Sequence, residues 1–247
     1  MTTIAIKDVH QQLSFRQLTL GVTLNAQQQL NNFSFSGAPA LAPALDDLLM
    51  SEKADSVYVF GAQGVGKSHL LQGCVLRAQE MGQQAIYISC RELIQIPSVQ
   101  ADECLEGLES NALICVDDID HLINDMHWAQ AWFHLYNKLM QQDHHLVISA
   151  TLNPRTVVCH LNDLRSRLQL ANVFQLMVLD EEASGRLLQE KAQQKGLHLT
   201  NEHVAYIFSR SPRGLANVLT VLDLLDTASW QEKRRITIPF IKQVMAW

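Results

Sequence analysis

Gly61-Ala62-Gln63-Gly64-Val65-Gly66-Lys67-Ser68 fits the pattern G-x-x-x-x-G-K-[ST] at every fixed position. The β-prone run Val57-Tyr58-Val59-Phe60 leads into it. From Lys67 to Met81, Leu70, Leu71, Val75 and Ala78 recur at helical spacing until Gly82 stops the helix. A strand, a glycine-rich turn and a helix in that order form a phosphate cradle. The glycines let successive main-chain N–H groups face an anion, and the helix start adds partial positive charge. Lys67 is expected to reach the β- and γ-phosphates and the Ser68 hydroxyl to coordinate Mg²⁺. Gln63, Gly64, Val65, Gly66 and the helix-face His69 belong to the same expected binding surface. The plain alternative is a strand-to-helix turn with no ligand; pattern and context together weigh against it.

Outward from this turn, further β-prone runs follow at Ala85-Ile86-Tyr87-Ile88-Ser89, Ala112-Leu113-Ile114-Cys115-Val116, His145-Leu146-Val147-Ile148-Ser149 and Val173-Phe174-Gln175-Leu176. Helical segments such as Trp128 to Gln141 separate them. Strands alternating with helices imply right-handed crossovers and a parallel sheet covered on both faces, a three-layer α/β domain over residues 33–178. Beyond Asp180 the β-prone runs stop. Glu181 to Lys195, Asn201 to Ser209, Pro212 to Ala228 and Pro239 to Ala246 read as helices with capping residues at their starts, a small all-α lid domain over residues 179–247. Residues 1–32 are rich in Gln and Asn and read as an extended arm, followed after Pro39 and Pro43 by a short apolar helix, Ala44 to Met50.

An anionic ligand with its metal also requires carboxylates. Leu113-Ile114-Cys115-Val116-Asp117-Asp118 is an apolar strand ending in acid, as in a Walker B segment. Asp117 is expected to bind Mg²⁺ and Asp118 to orient or deprotonate an attacking water. Asp is one methylene shorter than the Glu many such ATPases carry there, so weaker water activation is expected. Acids that end a strand and cap the next turn are the alternative reading.

Composition narrows the remaining choices. The chain has 247 residues, 47% hydrophobic and 18% charged, enough for a sizeable core. Its five cysteines are odd in number and lack C-x-x-C spacing, and its ten histidines are scattered, which supports neither a disulfide framework nor a zinc site. Nothing approaches 18 uninterrupted apolar residues, and Lys7, Asp8 and His10 interrupt the start, so a cytoplasmic protein without a membrane anchor is expected. The net charge of −6 is uneven: residues 1–178 hold 10 Lys/Arg against 17 Asp/Glu, and residues 179–247 hold 9 against 8. Autonomous, sequence-specific duplex DNA binding is not expected from that distribution.

The order of these signals resembles the AAA+ class, and Asp117-Asp118-Ile119-Asp120 resembles the Walker B segment of the DnaA initiator clade. The resemblance implies further roles. Ser149-Ala150-Thr151 takes the place of sensor 1, with Thr151 as the γ-phosphate or water contact, although that clade usually has Asp there. Asp163-Leu164-Arg165-Ser166-Arg167-Leu168 resembles the box VII segment, which makes Arg167 the arginine-finger candidate. Ser211-Pro212-Arg213-Gly214-Leu215 resembles sensor 2, with Arg213 on the phosphates. Asn32-Phe33 resembles the segment lining the adenine pocket.

Within the clade the chain is most similar to the regulatory inactivators of DnaA, from Gln17 to Trp247, and it ends with the lid. Gln17-Leu18-Thr19-Leu20 resembles their sliding-clamp-binding motif: Gln17 would enter a polar pocket and Leu18 and Leu20 an apolar groove. Gln12-Leu13-Ser14-Phe15 is a competing register. The resemblance implies an adenine nucleotide (ADP or ATP, with the ADP form active) and Mg²⁺ as cofactors. It implies DnaA and the β subunit of DNA polymerase III, the sliding clamp, as partners, with a homo-oligomer also allowed. The expected activity is clamp-dependent hydrolysis of the ATP on DnaA, a negative control on replication initiation. An autonomous ATPase acting as a loader or remodeller, and a nucleotide-gated adaptor, are the rival readings.

Overall fold

The computed structural model describes residues 24–25, 28–212 and 215–247, and its contacts divide the chain after Leu176. The first unit is built on strands β1 (Ser56–Phe60), β2 (Ala85–Ser89), β3 (Leu113–Asp117), β4 (His145–Ala150) and β5 (Asn172–Gln175). They form one sheet in the order β2-β3-β4-β1-β5, and every pairing is parallel. The helices are α1 (Leu41–Met50), α2 (Lys67–Glu80), α3 (Cys90–Leu93), α4 (Ala101–Leu105), α5 (Met126–Gln141) and α6 (Asn162–Leu170).

The alternation of side chains along each strand sorts the core into two layers. Val57, Val59, Leu113, Cys115 and Val147 pack with α1 and α2. Tyr58, Ile114, Val116, Leu146 and Ile148 pack with α5 and α6 on the other face. Both faces are therefore dry. That is why β3 and β4 are buried at every residue and read in the sequence as unbroken apolar runs. The three-layer expectation holds, with boundaries shifted by one to three residues. α1 starts at Leu41, and Pro43 fits inside its first turn, where a backbone N–H has no helical partner.

The second unit contains α7 (Glu181–Gln194), α8 (Asn201–Arg210), α9 (Leu215–Glu232) and α10 (Ile238–Met245), as the sequence predicts. Asp180 caps α7 by accepting from the Ala183 N–H (2.7 Å), and Thr237 caps α10 by accepting from the Phe240 N–H (3.3 Å). Leu188, Ile207, Leu222, Leu225, Phe240 and Ile241 form its own core. α9 is the element the sequence reading bounded least well. It begins at Leu215 and runs to Glu232, where the expectation was 212–228. Among the described residues no helix is long and apolar enough to cross a membrane.

Leu139 on α5 is fully buried, whereas Leu170 at the end of α6 is 72% exposed. Leu139→Ala is expected to lower the stability of the α/β unit by about 2–5 kcal/mol in urea unfolding followed by circular dichroism. Leu170→Ala is expected to stay within about 0.5 kcal/mol of the parent.

Candidate functional site

The turn after β1 is held open by its glycines. Gly61 donates its N–H to the Ala150 carbonyl (3.2 Å), and a Cβ there would lie 2.5 Å from the Leu176 carbonyl oxygen. Gly64 and Gly66 have φ of +84° and +101°, the left-handed region that side chains disfavour. Gly66 precedes the first residue of α2, and among the described residues no loop carbonyl accepts from the N–H groups of residues 63–68. Those amides, at the positive end of α2, form a ready anion cradle.

Lys67 sits inside this turn at 6% exposure. Its Nζ donates to the Gly61 and Ala62 carbonyls (2.9 and 3.3 Å) and lies 3.6 Å from Asp118 Oδ1. Beside it, the Phe33 ring stands 3.1 Å from where a Gly66 Cβ would be. The same ring meets His69 edge-on (5.6 Å) and Phe35 (4.8 Å). His69 Nε2 hydrogen-bonds the Gln29 carbonyl (3.1 Å). Gly73, one turn further along α2, lets the 28–30 backbone approach closely: a Cβ there would be 2.9 Å from the Leu30 nitrogen. Asn32, Phe33 and His69 are thus brought to the P-loop, and Asn32 is exposed.

Asp117, at the end of β3, is 5% exposed and accepts three hydroxyl hydrogen bonds. Ser68 Oγ (2.5 Å) and Tyr87 OH (2.7 Å) donate to Oδ2, and Ser149 Oγ (2.5 Å) donates to Oδ1. Burial and the Asp117 charge push the Tyr87 phenol up, so it remains a donor. Asp118 follows in a left-handed conformation (φ +55°), which Asp tolerates better than most residues. Its N–H donates to Ser149 Oγ (2.8 Å), and its Oδ2 accepts from Arg91 Nε (2.7 Å). Its Oδ1 is buried without a hydrogen bond, facing Lys67. Hard oxygen donors at Ser68 and Asp117 beside an amide cradle suit Mg²⁺ held jointly with phosphates. Among the described residues no group of three His, Cys, Asp or Glu could hold a metal on its own.

The structure places the remaining sequence candidates less centrally. Thr151 is exposed just past β4, and its N–H donates to Asp120 Oδ2 (3.0 Å). From the same segment it is Ser149, fully buried, that touches both aspartates. Arg167 is exposed on α6, whose Leu164 and Leu168 face the core, and among the described residues it makes no hydrogen bond or ion pair. Arg213 and the arm residues Gln17, Leu18 and Leu20, with the 12–15 register, lie outside the described residues. All five cysteines are buried free thiols. Burial raises Cys90 and Cys115, and Cys104 to about 11, which leaves them neutral and poor nucleophiles.

Tyr87 and Arg91 are the site residues that sequence reasoning missed, and Ser149, named there with the sensor-1 segment, was given no contact of its own. Tyr87 carries a hydroxyl in the middle of β2, where its neighbours Ile86 and Ile88 are apolar, and the β2–β3 register pairs it with Cys115, two residues before Asp117. A polar atom on a buried residue between two isoleucines is the signal that points to it. Arg91 lies two residues beyond β2 and gives no pattern of its own.

Residues 25–175 match the family model of the bacterial DnaA ATPase domain, and residues 180–245 match that of the Hda lid domain. Among solved structures, AMPPCP-bound DnaA from Aquifex aeolicus is 20% identical with a TM-score of 0.70, over 84% of this chain and 68% of that one. Domain III of Thermotoga maritima DnaA is 19% identical with a TM-score of 0.70, over 91% and 98%. The Thermotoga maritima RuvB branch-migration motor is 15% identical with a TM-score of 0.61, over 89% and 71%. These likenesses establish the AAA+ fold for the chain.

Gly61 and Gly64 differ in what a methyl group would meet. Gly61→Ala is expected to cost about 1–3 kcal/mol, because the strand end must move away from Leu176. At Gly64 a Cβ meets nothing within 4 Å, so Gly64→Ala is expected to cost only about 1 kcal/mol, from its positive φ. Urea unfolding of the two variants checks the order.

Proposed function

The chain belongs to the bacterial DnaA ATPase family, and we propose that it is a nucleotide-binding AAA+ regulator that inactivates DnaA. In this reading it acts with the DNA-loaded sliding clamp to promote hydrolysis of the ATP on DnaA. The observation that carries the reading is the joining of a DnaA-type ATPase match, with its cradle and Asp117-Asp118 assembled, to a lid of the Hda kind in one chain. A DnaA-related regulator follows from the two matches; the clamp dependence rests on the Gln17-Leu18-Thr19-Leu20 likeness.

Bound ADP or ATP with Mg²⁺ would supply a polyphosphate whose charge the site balances. The amides of residues 63–68 and the Lys67 ammonium would bind the phosphates, with Phe33 and Asn32 beside the base; the sensor-2 likeness assigns Arg213 to the phosphates as well. Ser68 and Asp117 would hold Mg²⁺, and Tyr87 and Ser149 keep the Asp117 carboxylate aimed. Arg91 ties up Asp118 Oδ2, which, with the short Asp side chain, fits weak intrinsic water activation. Arg167, exposed and unpaired among the described residues, is free to face a neighbouring subunit's γ-phosphate. A guanidinium delivered that way offsets charge developing in the transition state. Thr151 remains the sensor-1 contact in this reading.

The complete set of Lys67, Ser68, Asp117 and Asp118 supports a second reading, an autonomous ATPase acting as loader or remodeller. Intrinsic turnover of the purified protein separates the two, since sustained hydrolysis without clamp and DnaA favours the motor. For the regulator, hydrolysis of DnaA-bound ATP is expected to require DNA-loaded clamp and to be lost on deleting residues 1–24. Arg167→Ala is expected to lower that hydrolysis about 10³-fold while clamp binding persists. Lys67→Ala is expected to abolish nucleotide binding in a filter or calorimetric assay. Undiminished DnaA-ATP turnover with Arg167→Ala would remove the arginine from this role.

A further inference from the structure

The lid unit carries an indole that its packing does not use. Trp230, near the end of α9, is 82% exposed, while Trp128 and Trp132 are 3% exposed and Trp247 packs against the lid core. Trp230 lines an open depression of about 630 Å³ with Ser229, Gln231, Lys233, Arg234 and Arg235.

The walls of the depression are fixed by the chain's own bonds. Lys233 turns the backbone at φ +52°. Ser229 Oγ donates to the Arg234 carbonyl (2.6 Å), and the Arg234 N–H donates to the Ser229 carbonyl (3.2 Å). The Arg234 guanidinium is occupied within the fold: it donates to Glu232 Oε2 and Gln243 Oε1 (3.1 Å each) and lies 5.0 Å from the centre of the Phe240 ring. Lys233 and Arg235, both exposed, make no hydrogen bond or ion pair among the described residues. With Glu232 paired to Arg234, two cations are left over beside the exposed indole, in a chain whose net charge is −6.

Cations after a helix C-terminus offset its dipole, which accounts for positive charge here. It does not account for an indole in water. An aromatic face flanked by free cations has the chemistry that single-stranded nucleic acid requires: a base stacks on the ring and adjacent phosphates meet the charges. A duplex hides its base faces in the stack, so the same surface gives it no aromatic contact.

We propose that the end of α9 is a contact site for single-stranded nucleic acid, with Trp230 stacking on a base and Lys233 and Arg235 pairing with neighbouring phosphates. The contact is sequence-independent and weak, since it consists of one stack and two ionic contacts. It stands apart from the nucleotide reading, because none of its residues belongs to the P-loop unit.

The test titrates the full chain with a 5′-labelled dT12 oligonucleotide at low salt, following label anisotropy and indole fluorescence. Binding is expected with quenching. Trp230→Ala is expected to weaken binding about tenfold and remove the quench, and Trp230→Phe to fall between it and the parent. The double variant Lys233→Ala/Arg235→Ala is expected to reduce the slope of log affinity against log salt by about 1.4. Lys67→Ala is expected to bind dT12 as the parent does, so failure here is distinguishable from failure of the nucleotide site. An abasic oligonucleotide of the same length is expected to bind like the Trp230→Ala protein binds dT12. Absence of binding at low salt, or binding and quenching unchanged in both Trp230 variants, overturns the proposal. Poly-glutamate binding as tightly as dT12 and lost in the double variant would replace it with an acidic protein partner.

Discussion

The Asp117 carboxylate, 5% exposed, is bonded by three hydroxyls that come from α2, β2 and β4. Burying an unpaired carboxylate costs several kcal/mol, so the site is stable only while Ser68, Tyr87 and Ser149 are all in reach. That requirement fixes the placement of α2 against β3 and the parallel register of β2, β3 and β4. A one-residue slip of β2 would turn Tyr87 to the opposite face and leave Asp117 a donor short. The glycines of the P-loop matter for the same reason, because Ser68 reaches Asp117 only if the chain can turn tightly between β1 and α2.

Asp118 shows what this junction leaves for chemistry. It lies between Lys67 on one oxygen and Arg91 on the other, with its N–H tied to Ser149. The ammonium is buried and the guanidinium is half exposed, so the two contacts differ in strength. Coulomb attraction is little screened around Lys67 and well screened around Arg91. An anion arriving at the cradle competes with Asp118 for Lys67, and the partner Asp118 then keeps is the one at the water-exposed rim. Members of such a cluster do not act additively, since each substitution changes what the others pair with.

The sheet was legible in the sequence because both its faces are buried. β1, β3 and β4 read as apolar runs, and the P-loop glycines and the terminal aspartates marked where the runs stop. The short α3 and α4, between β2 and β3, were not legible, since four- and five-residue helices carry too few turns to show a period. β5 was found although it is exposed along most of its length. The site was half legible: motif residues announce themselves by spacing, whereas Tyr87, Arg91 and Ser149 are brought to the aspartates by strand pairing between distant segments. Preferring Thr151 over Ser149 as the polar contact followed from family position. Contact with Asp117 is a separate role, and the pleat gives it to Ser149, which it buries, while Thr151 lies beyond the strand's end.

Buried and exposed polar groups in this chain obey different constraints. Inside the site Lys67, Ser68, Tyr87, Asp117, Asp118 and Ser149 all have partners from the same chain, because an unmatched group there would cost stability directly. Among the described residues there, only Oδ1 of Asp118, which faces Lys67, and Oδ1 of the nearby Asp120 are buried without a hydrogen bond. Arg167, Lys233 and Arg235 have no partner among the described residues, and in water that costs almost nothing. Solvent therefore permits a cation to be held ready for charge that another molecule brings. An exposed indole is different, since it keeps apolar area in water that burial would relieve, about 25 cal/mol for each Å². The proposed contact, by covering the Trp230 ring, would take that area out of water.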